Sequence, residues 1–182
     1  MRKPRKIVPG AYYHVIARAN RQEFILESDS MKEMLLGVIV AARAKFRFAI
    51  QSICIMSNHI HMLVHPHPGE SLSRIMQWIL SVFAMRFNRR FGLRGHVWYD
   101  RFKSAVLDTL CKFVRTFVYI EENPVRAGMV SDARAYRYSS WHAENSAMRR
   151  VLKPPDVLHR LLFPGHLGSS ELISGPVPNA HL

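Results

Sequence analysis

Two β-rich runs of this chain are separated by only two residues. Residues 46–56 are rich in phenylalanine and isoleucine, residues 59–65 open with alternating histidine and isoleucine, and Ser57 and Asn58 lie between them. Parallel strands need a crossover of about a dozen or more residues, so a connection this short favours antiparallel strands. The pattern therefore predicts a tight β-hairpin within an antiparallel sheet.

Further strand and helix patterns surround the hairpin. Strand patterns cover residues 11–19 and 97–107, and helical patterns cover residues 28–44, 71–91 and 108–122. We expect Ser28 or Asp29 to cap the first helix and Asp108 to cap the third, which Asn123 and Pro124 should end. The order β-α-β-β-α-β-α predicts an α+β fold, an antiparallel sheet with helices packed on it.

The length of 182 residues suits a single domain with terminal extensions. Residues 1–10 are basic and predict an N-terminal arm, and residues 11–144 hold the predicted domain. Five of the ten prolines lie in residues 154–178. Residues 145–182 therefore predict a peripheral Pro/Gly-rich tail, with one short helix near residues 157–162.

The two cysteines and the apolar runs indicate the compartment. Cys54 and Cys111 both lie in apolar surroundings, which is typical of small buried side chains in a reducing cytosol. No apolar run follows the basic start, and the longest run, residues 34–42, is too short to span a bilayer. We expect a cytoplasmic protein that associates with the nucleoid through DNA and not with membranes.

The charge balance points to a polyanionic partner. Lysine and arginine total 26 against 13 acidic residues, giving a net charge of +13. Arginine supplies 19 of those cations, and its guanidinium binds phosphates with two parallel hydrogen bonds and stacks on bases. The composition favours a nucleic-acid partner, and a basic surface that serves solubility is the alternative.

A histidine pair lies in the second run of the hairpin. His59 and His61 are two residues apart, so in a strand both imidazoles project from one face while Ile60 projects from the other. Two such rings could converge on one cation. Because a single H-x-H is a weak motif, a polar strand face with chance histidines is the alternative interpretation.

Tyr119 lies on the polar side of the third helical pattern. On a helical wheel the apolar side chains and Glu121 cluster opposite it, whereas Lys112 and Arg115 lie beside it. Asn123 shares its face if the helix continues by one more step. The alternative is an ordinary surface tyrosine on a solvated helix.

These groups together could perform chemistry on a phosphodiester. A phenol, with a pKa of about 10, is a poor nucleophile near neutral pH. Two imidazoles and the amide oxygen of Asn123 could hold Mg²⁺ or Mn²⁺ with open positions for phosphate oxygens. The covalent tyrosyl phosphate would conserve the bond energy, so a free hydroxyl could later reverse the step.

Five ordered motifs over about residues 7–142 resemble those of single-tyrosine HUH transposases, the IS200/IS605-like family. The sequence MSNHIHMLV at residues 56–64 resembles "MPNHVHLLV", and YIEENPVRAG at residues 119–128 resembles "YIxxNPVRAG". The remaining matches are YHV…RAN from residue 13, GHVWYDRFKS from residue 95 and YRYSS from residue 136, which resemble "YHVxxRGN", "GxxWQxRFKS" and the closing "YxWSS". The resemblance is closest to the REP-associated tyrosine transposases.

The resemblance implies a fold, a site and a substrate. The fold is that of HUH nucleases, with an RRM-like (ferredoxin-like) antiparallel sheet. His59, His61 and Asn123 would hold the metal ion, where insertion-sequence relatives use Gln in place of Asn. Tyr119 would attack single-stranded DNA at a palindromic hairpin, leaving a 5′-phosphotyrosine and a free 3′-OH.

The chain departs from the family motifs at three positions. Ser57 replaces a proline in the hairpin, Tyr99 replaces a glutamine and Tyr138 replaces a tryptophan. None of these changes removes a proposed catalytic group. The relatives are found as monomers and as dimers that exchange helices, and we expect a monomer, with a homodimer as the alternative.

Eight cations are candidates for contacts with single-stranded or hairpin DNA. Four belong to the arm and four lie in the family motifs: Arg2, Lys3, Arg5, Lys6, Arg18, Arg101, Lys103 and Arg126. Arg89 and Arg90 could equally serve the end of their own helix. Trp98, Tyr99 and Phe102 alternate with charged residues and could stack on bases, although core packing is the better interpretation for Trp98.

Three functions compete on this sequence. The first is a metal-dependent DNA endonuclease and strand transferase that uses Tyr119. The second is a catalytically silent hairpin-DNA-binding protein or repressor on the same fold, which would have no need of all four site residues. The third, a hydrolytic metal phosphoesterase, would need more carboxylates than the chain offers near His59 and His61.

Overall fold

The computed structural model describes residue 8, residues 10–142 and residues 146–152. The predicted order of strands and helices is confirmed, with one added short helix after the third and another near the C-terminal end. The strands are β1 (Tyr12–Arg18), β2 (Phe48–Ile55), β3 (His59–Pro66) and β4 (Lys103–Leu107). The helices are α1 (Asp29–Lys45), α2 (Leu72–Phe91), α3 (Leu110–Glu121), α4 (Asn123–Arg126) and α5 (Ser146–Val151).

The four strands form one antiparallel sheet in the order β2-β3-β1-β4. The predicted hairpin is present: Ile55 pairs with Ile60, and Met56 N donates to His59 O at 2.9 Å. Main-chain groups of the neighbouring loops donate to the carbonyls of Ser57 and Asn58, at 2.9 and 2.8 Å. The turn is thus held from both sides although serine stands where relatives carry proline.

The sheet is covered on both faces. Side chains on one face, such as Val15, Ala17, Ile60 and Met62, are buried in the core cluster that also takes in the inner faces of α1 and α2. Helix α3 contacts β2, β3 and β4. Because side chains alternate along a strand, the histidines of β3 lie on the face toward α3 and Ile60 lies in the core.

The outer edge of β2 is covered by a later segment of the chain. Ile55 N donates to Tyr138 O at 2.9 Å, and Ser140 N donates to Ile53 O at 2.9 Å. The Tyr136 hydroxyl donates to Ile55 O at 2.7 Å. The last motif recognised in the sequence therefore lies along the edge of the sheet and completes its hydrogen bonding.

The fourth strand is shorter than predicted. Only Lys103–Leu107 pairs with β1, and the preceding residues 97–102 form an irregular loop with one isolated bridge, between Ala19 and Trp98. Trp98 Nε1 donates to Leu80 O of α2 at 2.9 Å. The loop therefore satisfies its polar groups through α2 and the end of β1 instead of through a continuous strand ladder.

The start of α3 differs from the prediction. Thr109, and not Asp108, is the N-cap, and its Oγ1 accepts from Lys112 N at 3.2 Å. The Asp108 carboxylate instead accepts a hydrogen bond from Lys112 Nζ at 2.6 Å. The first turn is also more exposed than predicted: Leu110 and Cys111 face solvent, and Phe113 is the first buried residue of the helix. The other cysteine, Cys54 of β2, is buried as expected.

As predicted, α3 ends before Asn123 and Pro124, with Glu121 as its last residue. Asn123 and Pro124 then begin α4, in which Ala127 N donates to Asn123 O at 3.0 Å. Proline is tolerated here because the first turn of a helix does not need its missing N–H. The chain thus turns from α3 into a second helical segment within two residues.

The structure describes only part of each end of the chain. Residues 1–7 and 9 of the predicted arm and residues 153–182, including the short helix predicted near residues 157–162, lie outside the described residues. The start of the predicted tail, α5, packs on α1, and Arg43 Nη1 donates to the carbonyls of Arg150 and Val151 at 2.8 and 3.1 Å. Within the described part of the chain, no helix is long and apolar enough to cross a membrane.

Candidate active site

The predicted histidine pair lies at the start of β3. The ring centroids of His59 and His61 are 5.0 Å apart with the ring planes at 82°. On β1, Arg18 is the antiparallel partner of His59 and Ile16 is the partner of His61. Since opposite residues of an antiparallel pair share a face, Arg18 belongs to the same side of the sheet as the two imidazoles.

Both imidazoles are held in the neutral form. Burial lowers the pKa of His61 to about 3, with additional contributions from His59, His14 and Arg18. Burial also lowers the pKa of His59, and the Arg18 charge lowers it further. Asn58 Oδ1 lies 2.6 Å from His59 Nδ1. Because an amide oxygen only accepts, Nδ1 of His59 carries the proton and Nε2 keeps its lone pair.

A third histidine, which the sequence did not single out as a site residue, joins the pair. His14 Nε2 lies 2.9 Å from His61 Nδ1, and the two rings are stacked with centroids 5.2 Å apart. His14 belongs to the YHV motif of β1, which was the available signal. Its importance was hidden because it lies diagonally across from His61, whose directly opposite residue is Ile16.

Tyr119 of α3 lies over the histidines. Its ring centroid is 5.5 Å from that of His61 and 5.9 Å from that of His14, both in edge-to-face arrangements. The Arg126 guanidinium carbon lies 5.3 Å from the centre of the tyrosine ring. The residue is 38% exposed, so Tyr119 is open to an incoming strand while the histidines below it are sheltered.

Asn123, the first residue of α4, is buried next to His59. A hydrogen bond between the two side chains raises the pKa of His59, an effect smaller than the opposing effect of burial. Asn123 follows Tyr119 by four residues, and a single residue, Glu122, separates α3 from α4. The structure thus brings together the four residues that the sequence proposed for catalysis and metal binding.

A surface cavity of about 700 Å³ opens beside Tyr119. It is lined by His14 and Tyr119, by one side of α3 and by two cations, Arg115 and Arg126. Arg126 also forms an ion pair with Glu122 at 3.0 Å. The cavity therefore offers an accessible, positively charged approach to the phenol.

The other predicted DNA contacts fall into two groups. Arg18, Arg101, Lys103 and Arg126 are all exposed, and Arg18 and Arg126 lie next to the histidines and the tyrosine ring. Arg101 and Lys103 lie on the loop before β4 and at the start of that strand. The four cations of the arm, Arg2, Lys3, Arg5 and Lys6, lie outside the described residues.

The donor set fits a divalent ion of the predicted kind. His59 and His61 are neutral, His59 has one ring nitrogen free of its Asn58 bond, and Asn123 adds an amide oxygen beside it. Among the described residues, no group of three or more His, Cys, Asp or Glu side chains could hold a metal ion. A set of two imidazoles and one amide falls outside that definition but leaves coordination positions for phosphate oxygens.

Comparison with known proteins gives a family and a fold. The sequence model of the family described as "Transposase IS200 like" matches residues 7–123. No curated protein matches the sequence. Among solved structures, a REP-associated tyrosine transposase bound to a REP hairpin is similar with a TM-score of 0.68 and 20% identity, over 86% of this chain and 93% of that chain. A candidate transposase from Deinococcus radiodurans R1 has a TM-score of 0.48 and 17% identity, over 67% of this chain and 97% of that chain.

Proposed function

Because this chain belongs to the IS200-like transposase family, we propose that it is a metal-dependent tyrosine nuclease. It cuts and rejoins single-stranded DNA at hairpins and forms a covalent 5′-phosphotyrosine at Tyr119. The observation that carries the proposal is the position of the Tyr119 ring, with its centroid 5.5 Å from that of His61. An unrelated surface tyrosine would have no reason to lie over two neutral histidines, of which His61 is buried and His59 half-buried.

The residues around Tyr119 hold and orient the reacting groups. His59 and His61, with Asn123, would hold Mg²⁺ or Mn²⁺. When bound, such an ion neutralises the phosphate oxygens and polarises the phosphorus toward attack. Asn58 fixes the tautomer of His59 through its hydrogen bond to Nδ1. The Arg126 guanidinium, whose carbon lies 5.3 Å from the centre of the phenol ring, attracts the phosphate.

Cleavage exchanges one phosphorus–oxygen bond for another. Tyr119 Oη forms a bond to phosphorus, and the bond between phosphorus and the 3′-oxygen breaks. The phenol loses one proton and the leaving 3′-oxygen gains one, so the net number of protons does not change. A free 3′-hydroxyl can attack the phosphotyrosine by the same route and release Tyr119, which gives strand transfer without an external energy source.

Charge and relationship both support a DNA substrate. The chain carries a net charge of +13, and two exposed cations, Arg115 and Arg126, line the cavity beside Tyr119. The similar REP-associated transposase was solved with a REP hairpin. We therefore propose hairpin DNA with an unpaired foot as the substrate class, bound through phosphate contacts from Arg18, Arg101, Lys103 and Arg126 and from the basic arm.

Trapping of the covalent adduct tests the proposal. Labelled DNA hairpins with randomised single-stranded extensions are incubated with protein and Mg²⁺ or Mn²⁺, then denatured. Wild-type protein should give a labelled adduct, and no adduct should form when the metal is chelated before the DNA is added. Tyr119→Phe should give none while still binding DNA. Tyr99→Phe, which removes the hydroxyl of another exposed tyrosine, should keep the adduct.

The alternative function predicts a different result. A catalytically silent hairpin-binding protein or repressor would retain the hairpins without forming an adduct under any metal condition. Adduct formation that survives Tyr119→Phe would place the nucleophile elsewhere and refute the assignment of Tyr119.

A further inference from the structure

The turn between β1 and α1 contains two residues with an unfavourable backbone conformation. Arg21 has φ 50° and ψ 19°, and Gln22 has φ 59°. Among the described residues, these are the two that reach positive φ without being glycine. The left-handed region is disfavoured for residues with a Cβ atom. Such conformations persist where the surrounding structure holds them, and they cluster at functional sites.

Burial of side chains does not explain the turn, because the side chains of Arg21 and Gln22 are both exposed. Asn20 makes the contacts that hold the segment. Its N–H donates to Val97 O at 2.8 Å, and its Oδ1 accepts from Arg21 N at 3.1 Å. Its carbonyl accepts from Glu23 N at 3.0 Å. These bonds fix the main chain, so what the turn supplies is a main-chain group at a defined place.

The carbonyl of Gln22 is that group, and it accepts a hydrogen bond from Asn58 Nδ2 at 3.3 Å. A carbonyl only accepts, so the NH₂ end of the Asn58 amide must face it. Reversing the amide would bring two oxygens together. The Oδ1 end therefore faces the other way, where it lies 2.6 Å from His59 Nδ1.

The same segment also holds the backbone of the hairpin turn. Ala19 N donates to Asn58 O at 2.8 Å, and Leu26 N donates to Ser57 O at 2.9 Å. With the backbone of Asn58 held, the orientation of its side-chain amide decides which atom meets His59. The Gln22 carbonyl selects that orientation.

The orientation matters because a neutral imidazole has two tautomers. With Oδ1 as its neighbour, His59 carries the proton on Nδ1 and keeps a lone pair on Nε2 for a cation. A reversed amide would offer an N–H to Nδ1, which favours the tautomer protonated on Nε2. In that tautomer Nε2 has no lone pair to give, so the ring could not bind a cation through it.

We propose that the Arg21–Gln22 turn is a positioning element for the proposed metal site. The Gln22 carbonyl orients the amide of Asn58, and the amide sets the tautomer of His59. The inference rests on the proposed function, because it assigns the turn a role in preparing His59 for a divalent ion. It extends the site to a main-chain group of the segment before α1.

Nuclear magnetic resonance of the histidine rings tests the proposal without metal or DNA. Nitrogen–proton correlation spectra distinguish the two neutral tautomers, and a pH of about 8 lies above the ordinary histidine pKa. Wild-type His59 should carry its proton on Nδ1. Asn58→Ala removes the acceptor, and Gln22→Pro fixes φ at about −65° and so moves the carbonyl. In both variants His59 should shift toward the tautomer protonated on Nε2.

Two further variants separate this role from a general loosening of the protein. Gln22→Gly keeps the carbonyl and adopts positive φ without strain, so His59 should retain the wild-type tautomer. Asn58→Asp accepts from Nδ1 in either orientation of its carboxylate, so His59 should keep the Nδ1 proton even when Gln22→Pro is added. His61, whose Nδ1 faces His14, should keep its tautomer in all of these variants.

Titration with Mn²⁺ in the absence of DNA measures the consequence for the site. Asn58→Ala and Gln22→Pro should each weaken binding by about 10- to 100-fold, the range for residues that orient a ligand. Phe24→Ala, at an exposed residue of the same segment, is the control and should bind Mn²⁺ like wild type.

The outcomes distinguish the positioning role from the cleavage function. A Gln22→Pro protein whose His59 keeps the wild-type tautomer, or whose His61 changes along with it, overturns the inference. A changed tautomer with unchanged Mn²⁺ affinity overturns it as well. If tautomer and affinity respond as expected but wild-type protein forms no adduct at Tyr119, the positioning role stands and the proposed cleavage is refuted.

Discussion

The hydrogen bond between His14 and His61 sets the state of a proposed metal ligand. His61 can offer Nε2 to a cation only if its proton is on Nδ1, the nitrogen that lies 2.9 Å from His14 Nε2. His14 acts as a positioning residue in that arrangement, because its acceptor nitrogen stabilises the required tautomer. Partners of this kind orient metal-binding histidines and strengthen their basicity.

We predict that His14→Phe weakens binding of Mn²⁺ by about 10- to 100-fold, the range for loss of a residue that orients a ligand. His14→Gln should recover much of the affinity, because its amide oxygen can accept from His61. Calorimetric titration with Mn²⁺ measures the effect without DNA. His67→Phe, at an exposed histidine beyond the other end of β3, is the control. Equal affinity of the His14→Phe and wild-type proteins would contradict the positioning role.

The sequence placed four of the five residues at the centre of the site and missed the fifth. Strand alternation put His59 and His61 on one face, and the helical wheel put Tyr119 on the polar side of its helix. Neither pattern specifies which residue of a neighbouring strand lies diagonally opposite. That neighbour depends on strand order and register, so the contact of His14 with His61 could only be found in the structure.

At the scale of elements, α3 carries one acid group that its amphipathic pattern does not explain. Glu121 is fully buried, accepts from the Ser52 hydroxyl at 2.8 Å and from Trp141 N at 2.9 Å, and so connects α3 to β2 and to the chain after the edge segment. Burial raises its pKa to about 7, an effect that the hydrogen bonds from Ser52 and Trp141 partly oppose.

We predict that Glu121 makes the protein less stable as pH rises. In the unfolded chain its pKa is about 4.3, so between that value and about 7 the folded state binds more protons and the free energy of unfolding falls with increasing pH. Glu121→Gln removes the charge; its amide oxygen can accept from Trp141 N, and its amide nitrogen can donate to the Ser52 hydroxyl. This variant should flatten the dependence and be more stable than wild type above pH 7. Urea unfolding across this pH range measures it, and parallel curves for both proteins would contradict the assignment.

The start of α3 offers a direct comparison of two neighbouring residues. Thr109→Ala removes the cap to Lys112 N and should reduce the free energy of unfolding by about 1 kcal/mol. Asp108→Ala removes an exposed ion pair with Lys112 and should cost about 0.5 kcal/mol or less. Urea denaturation of both variants at neutral pH ranks them. The reverse order would show that Asp108 is the effective cap.

Element boundaries were the part of the fold that the sequence predicted least well. Asp108 and Thr109 are both good caps, and only the backbone direction at the end of β4 determines which one is used. Asn123-Pro124 follows the end of α3 as predicted, but no local pattern indicated that α4 would start at the same two residues. Residues 97–102 carry a strand-like composition but find their hydrogen-bond partners in α2 and at Arg18, a tertiary effect that no local pattern contains.

At the scale of the whole molecule, the excess positive charge should dominate affinity for DNA. Each phosphate contact releases condensed counterions, so affinity should fall steeply as salt increases. We predict that Arg101→Ala and Lys103→Ala each reduce the slope of log affinity against log salt by about 1. Fluorescence anisotropy with a labelled hairpin measures these slopes.

Arg47 provides the matched control for this charge effect. It precedes β2, next to the residue that pairs with Pro66, and so lies at the end of the sheet away from His59. Arg47→Ala should leave the salt slope unchanged. A fall equal to that of the Arg101 variant would mean that affinity depends on total charge and not on a defined path for the strand.

The segment that covers the outer edge of β2 has a consequence for how copies of the protein meet. Unpaired strand edges act as templates for pairing with other chains. Here the main-chain groups of Ile53 and Ile55 already bond to residues 138–140. Neighbouring molecules crowded along the same DNA therefore cannot join their sheets through this edge unless residues 136–140 first detach, which protects a basic, DNA-concentrated protein from aggregation on that side.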